Sequence, residues 1–160
     1  MSTAMTDIPE GYRPLQNRSE FTDLCGPLFE KVENGRRSEL AIRIEKKHGN
    51  LRGITHGGLL MTLADTALGD AIVQSYSMPV GLVTVSLNTD FMKSAKIGEW
   101  VAARVSIQKT GKRLAFADCT LFVGDQKILR ASGVFAVIEN GDLIRIDIYR
   151  REISLLVDSK

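Results

Sequence analysis

The chain has 160 residues, 44% of them hydrophobic and 25% charged, with a formal net charge of +2. That suits one domain with a sizeable core, and so small a charge argues against nucleic acid or a membrane surface as partner. Two cysteines, Cys25 and Cys119, form no CxxC pair; two histidines, His48 and His56, cannot build a His-rich metal site; and no phosphate-binding glycine loop occurs. A reducing, cytoplasmic setting is expected. Residues 1–18 lack the apolar run of a signal peptide, and no stretch approaches the ~20 apolar residues of a membrane-spanning helix.

In chain order, residues 1–17 carry Pro9, Gly11 and Pro14 with little periodicity and read as a loosely ordered arm. Ser19 is a possible N-cap for a short helix that Gly26-Pro27 ends. Leu28 to Glu33 reads as a strand, and Asn34-Gly35 is the strongest hairpin signal in the chain. Ser38 to Lys46 alternates as a strand with one wet face, and His48 to Thr55 is a polar connection. Thr55 to Val73 has apolar residues at 59, 60, 63, 67, 68, 71 and 72, the spacing of an amphipathic helix. Met78-Pro79-Val80-Gly81 breaks the pattern, and β segments follow. Leu82 to Phe91 places Val83, Val85, Leu87 and Phe91 on one face and Thr84, Ser86, Asn88 and Asp90 on the other. Trp100–Lys109, Arg113–Val123 and Lys127–Ile138 are the next strands, separated by turns at 110–112 and 124–125. After a turn at 140–142, Leu143, Ile144, Ile146 and Ile148 could form one more.

The helix carries the chemistry. It opens on Gly57-Gly58, which leaves bare backbone N–H groups at the positive end of the dipole, and it holds a carboxylate, Asp65, in a small and apolar run. A helix start open to a ligand oxygen and a mid-helix acid are both parts of acyl-transfer chemistry. With a single long helix and hairpin-linked strands, the economical α+β architecture is a curved antiparallel sheet wrapped around that helix, the hotdog fold. The expected division is an arm with a short helix at 1–25, a hotdog domain at 26–139 and an extension at 140–160.

Asn50, His56-Gly57-Gly58, Asp65, Val83-Thr84-Val85, Asn88, Phe91 to Gly98 and Lys109 to Phe116 follow one another in an order that resembles the hotdog acyl-CoA thioesterases of the phenylacetate-degradation (PaaI) type; the acyl-CoA thioesterase 13 branch is similar. The resemblance spans roughly residues 40–138. It implies hydrolysis of an acyl-CoA, with coenzyme A as part of the substrate and no cofactor or metal. It implies that the Gly57 N–H polarises the thioester carbonyl, that Asn50 helps there, that Asp65 activates water or attacks directly, and that Thr84 helps hold the water. It also implies sites built across a dimer interface and tetramers of two dimers.

Elementary geometry also requires at least a dimer if Asp65 and Gly57 are both catalytic. Gly57 and Asp65 are eight positions apart, about 12 Å along a helix axis, too far for both to serve one thioester carbon within one subunit. Two antiparallel helices would bring Gly57 of one to Asp65 of the other. His56 stands with Asp65, Gly57, Asn50 and Thr84 among the catalytic candidates, and simpler roles stand beside the functional ones: His56 as a helix cap, Asn50 as a turn residue, Gly57 and Gly58 as a tight start to the helix. Gly58, Met61, Val83 and Val85 are candidates for the substrate pocket. Lys109, Lys112 and Arg113 either form a solvated hairpin or meet the nucleotide phosphates of CoA. Asp70 reads as structural or exposed. The competing functions are a dehydratase or hydratase of the same fold, which needs a His paired with an acid, and a non-catalytic acyl-CoA binding domain. The apolar pocket suits aryl-acetyl, aromatic or medium-chain acyl groups.

Overall fold

The computed structural model describes residues 7–16 and 19–138 in full and the backbone of 143–147 and 152–156. The elements are β1 (Tyr12–Pro14), α1 (Glu20–Cys25), β2 (Leu28–Glu33), β3 (Arg36–Arg43), a 3-10 turn (Lys46–His48), α2 (Gly57–Ser75), β4 (Gly81–Phe91), β5 (Trp100–Thr110), β6 (Leu114–Val123), β7 (Gln126–Ile138), β8 (Leu143–Asp147) and β9 (Glu152–Leu156). The first seven strands form one sheet in the order β1-β2-β3-β5-β6-β7-β4, and every pairing is antiparallel. The sheet wraps α2, which packs on β3 to β7. This is the hotdog architecture.

Local chemistry accounts for most of these boundaries. Asn34 and Gly35 both have positive φ, 52° and 74°, the backbone of the tight β2–β3 hairpin. Helix α1 starts on a capping box in which the Ser19 and Thr22 side chains serve each other's backbone N–H groups. Strand β3 stops at Arg43, short of the expected Lys46, because Lys46–His48 wind into the 3-10 turn, and Nδ1 of buried His48 accepts the Glu45 N–H at 2.9 Å.

Helix α2 buries Leu60, Leu63, Ala64, Ala67, Leu68 and Ile72 against the sheet. Close approach is needed where the helix crosses β7. A Cβ on Gly133 would lie 2.7 Å from the Phe135 ring and 3.0 Å from Leu68 Cδ1, so glycine alone fits there. The far half of α2 is tied down by charge. Arg37 pairs with Glu30 at 2.7 Å and with Asp70, while Gln74 accepts the Arg37 backbone N–H and donates to Asp70. Burial alone would raise the pKa of Glu30, but hydrogen bonds from Arg37 and Arg13 bring it below the ordinary carboxylate value. Asp70 is therefore structural.

Three sequence expectations are corrected. The supposed loose arm contains β1, whose Tyr12–Pro14 pair with Phe29–Lys31; three residues are too few to show a period. The C-terminal strand has a partner, β9, that no pattern announced; Ile148 and the turn at 140–142 lie outside the described residues. The third correction concerns β4. Thr84 pairs with Phe135 and Ser86 with Val134, so Val85 is an extra bulged residue and the alternation is broken there. The face turned to α2 holds Leu82, Thr84, Leu87 and Phe91. Val83 lies between two of these and points away.

Candidate active site

The chain is delivered to α2 by a loop fixed at several points. Thr55 donates both its N–H and its hydroxyl to the Ala95 carbonyl, at 2.9 and 2.8 Å, and the His56 N–H donates to the His48 carbonyl. Ahead of them, Asn50 Oδ1 accepts the Arg52 N–H at 2.8 Å, the Asn50 N–H donates to the Ile54 carbonyl, and Gly53, at φ 74°, completes the turn. With Oδ1 engaged by that N–H, the Asn50 side-chain NH2 meets no acceptor among the described residues.

At the helix start the backbone donors have different fates. His56 is the N-cap, and its Nδ1 accepts the Gly58 N–H at 2.9 Å. The Leu59 N–H donates to the His56 carbonyl. Among the described residues the Gly57 N–H meets no acceptor, which leaves it as the open donor of the first turn. The Phe91 ring covers Gly57: a Cβ there would lie 3.1 Å from Cε1 and 3.3 Å from Cζ. Phe91 is itself half exposed.

Two turns further on, the Thr84 hydroxyl donates to Asp65 Oδ1 at 2.9 Å. The bulge at Val85 sets this contact, since it turns Thr84 and Leu87 to the same side. Asp65 and Thr84 sit in the wall of an open cleft of about 490 Å³ that Met61 and Leu87 also line. Helix α1 also lines it, through Phe21 and the Ser19–Thr22 cap. Sequence reasoning had no signal for this part of the wall, because α1 lies far from Asp65 along the chain and carries no motif.

Asp65, Thr84 and Met61 are thus brought together, while Gly57, Gly58, His56 and Asn50 lie at the helix start about 12 Å away by helix rise. Val83 and Val85 are outside the cleft. Lys109, Lys112 and Arg113 are exposed around the β5–β6 turn. Tyr76, the C-cap of α2, ties this turn down through its hydroxyl, which donates to the Gly111 carbonyl at 2.7 Å. By helix rise that is about 16 Å beyond Asp65.

His48 is buried and accepts through Nδ1, so the neutral ring carries its proton on Nε2, which faces the carbonyls of Cys25 and Gly26 without a well-formed hydrogen bond. Burial, then the charge of Lys47, pushes its pKa down. The His–acid pair of a hydratase is absent among the described residues: Asp70 is held by Arg37 and Gln74, and His56 caps the helix. No cluster of His, Cys, Asp and Glu among the described residues could hold a metal ion. No helix among them is long and apolar enough to cross a membrane.

The thioesterase superfamily model matches residues 52–129, a segment that runs from the loop before α2 into β7. A Pseudomonas aeruginosa protein, provisionally named an esterase, is 43% identical over 131 residues, which cover 82% of this chain and 98% of that one. The chain belongs to the thioesterase superfamily. It is a thioester hydrolase. Acyl-coenzyme A thioesterase 13 of the mouse is 39% identical over 80 residues, covering 50% of this thioesterase and 56% of that enzyme. A Bacillus halodurans protein whose crystal structure contains CoA superposes with a TM-score of 0.60 at 26% identity, covering 64% of this chain and 68% of that one.

Proposed function

We propose that the protein is an acyl-CoA thioesterase that releases a carboxylate and free CoA. Asp65 acts as the base and the Gly57 N–H as the oxyanion donor. The Asp65–Thr84 hydrogen bond in the cleft wall carries this reading. It fixes one carboxylate oxygen and leaves the other for a water molecule. That water loses a proton to Asp65 as its oxygen bonds to the thioester carbon. The carbonyl oxygen gains negative charge, which a helix-terminal N–H and the Asn50 NH2 stabilise. As the carbonyl re-forms, the C–S bond breaks, and the thiolate of CoA leaves and takes up a proton. An acyl-CoA substrate is supported by the mouse relative's named activity and by the CoA in the B. halodurans structure.

The two halves of this machinery lie too far apart to act within one subunit, so a second copy completes each site: Asp65 and Thr84 from one chain, Gly57 and Asn50 from the other. The dimer is the minimal active unit, and a tetramer pairs two of them. The exposed hairpin of Lys109, Lys112 and Arg113 binds the CoA phosphates.

Asp65→Asn should lower kcat by on the order of 10²–10⁴ and leave the affinity for CoA intact. Turnover at the wild-type rate would remove Asp65 from the mechanism. Mixing Asp65→Asn with a Gly57→Val chain tests the shared site: mixed dimers hold one intact site, so roughly a quarter of wild-type activity should return. No recovery after subunit exchange would place both groups in one subunit.

A further inference from the structure

We infer that α1 forms one wall of the acyl subsite, that Phe21 is its specificity-determining residue, and that the acyl groups admitted are uncharged and apolar. The inference rests on the reading of Asp65 given above and adds the part of the substrate that this cleft holds. Its first support is position. Phe21 projects from a six-residue helix onto the same cleft as Asp65 and Thr84, yet α1 lies outside the matched segment 52–129. Phe21 is 58% exposed, so it contributes little to the core. A thioester carbon beside the Asp65 carboxylate puts the acyl chain along this wall, where Phe21, Met61 and Leu87 supply apolar surface.

The second support is the state of the hydroxyl groups. Thr62 donates to the Gly58 carbonyl and Thr66 to the Thr62 carbonyl, each one turn back along α2. On α1, Thr22 donates to the Ser19 carbonyl, and the Ser19 and Thr22 hydroxyls bond to each other. Thr84 donates to Asp65. Every hydroxyl donor in the wall is thus engaged by the protein itself. A carboxylated or amide-rich group would meet the negative charge of Asp65 and no free donor, and its desolvation would go uncompensated. An alkyl or aryl chain needs no partner.

The test uses the full chain and two probes that are not hydrolysed, CoA and its S-octyl thioether, titrated calorimetrically. Wild-type protein should bind the thioether on the order of tenfold tighter than CoA or better. Phe21→Ala should cut that ratio about fivefold. Leu24→Ala, 77% exposed on the same helix but outside the cleft, should leave it unchanged. Equal binding of both probes by the wild type, an unchanged ratio in Phe21→Ala, or an equal fall in Leu24→Ala would each overturn the inference. Among substrates, octanoyl-CoA should be turned over faster than succinyl-CoA, and the reverse order would also overturn it. Failure of the catalytic reading looks different: Asp65→Asn would keep full turnover, or the wild type would hydrolyse no acyl-CoA, and the binding ratios would still be read.

Discussion

Thr84 offers the sharpest test of the site, because a single hydrogen bond can be removed there at nearly constant volume. Its hydroxyl lies 2.9 Å from Asp65 Oδ1 at the exposed edge of the cleft. Thr84→Val keeps the β-branched shape that β4 prefers and removes only the donor. A hydrogen bond to a charged group contributes about 1.5–3 kcal/mol, and solvent access argues for the lower end. At 1.36 kcal/mol per decade, a loss of about 1.5 kcal/mol from the transition state lowers kcat roughly tenfold. Thr84→Ser retains the hydroxyl and should stay within about threefold of wild type. Free-thiol release at saturating acyl-CoA measures the rate, and thermal unfolding should place both variants within about 0.5 kcal/mol of wild-type stability. A Val variant at the wild-type rate, or a Ser variant as slow as Val, would show that this hydrogen bond does not orient the carboxylate in turnover.

Two further outcomes concern Gly57 and Glu30. Gly57→Ala pushes a methyl group to within 3.1 Å of the Phe91 ring. It should cost about tenfold or more in kcat by moving the open N–H. Because the ring is half exposed and free to be trimmed, adding Phe91→Ala should restore part of the loss; no restoration in kcat assays would mean that the ring does not set the position of Gly57. The second outcome is acid lability. Glu30 has a folded-state pKa below its ordinary value of 4.5, despite its burial, because Arg37 and Arg13 bond to it. Its contribution to stability is therefore complete above pH 4.5 and is lost as pH falls from there through the folded-state value. Urea unfolding from pH 7 down to pH 3 should show this decline, and Arg37→Met should flatten it and cost about 2 kcal/mol at pH 7. Parallel pH curves for the two proteins would rule out the Arg37–Glu30 pair as the source.

What the sequence made legible is what short-range chemistry determines. The apolar spacing along α2, the turn residues Asn34-Gly35 and Gly124-Asp125, and the glycine pair before a helix with one internal acid each depend on neighbours a few residues away, and the hotdog architecture follows from their order. The two faces of β4 were read wrongly because a bulge leaves no trace in a period-two pattern: Val83, Val85 and Leu87 alternate well in the sequence, yet the extra residue at Val85 turns Thr84 and Leu87 together toward the helix. Strand β1 and the placement of α1 were illegible for a different reason. Each is short, and each is held by long-range contacts that no local period records.

The same reasoning explains why a motif names the catalytic groups before it can describe the space around them. The proposed oxyanion donor is the first N–H of α2 and the proposed base lies two turns along the same helix, so both are written into one element, about 12 Å apart. Neither requirement says what faces them. In this protein the cleft beside Asp65 is lined by a bulged strand and by a six-residue helix. Strand β4 touches both catalytic candidates, through Thr84 on Asp65 and Phe91 on Gly57, whereas α1 lines the cleft without a hydrogen bond to either. Chemistry and acyl selectivity are thereby separable at α1: changes at Phe21 should shift which acyl group is accepted, while changes at Asp65, Gly57 or Thr84 should shift the rate at which any of them is cleaved.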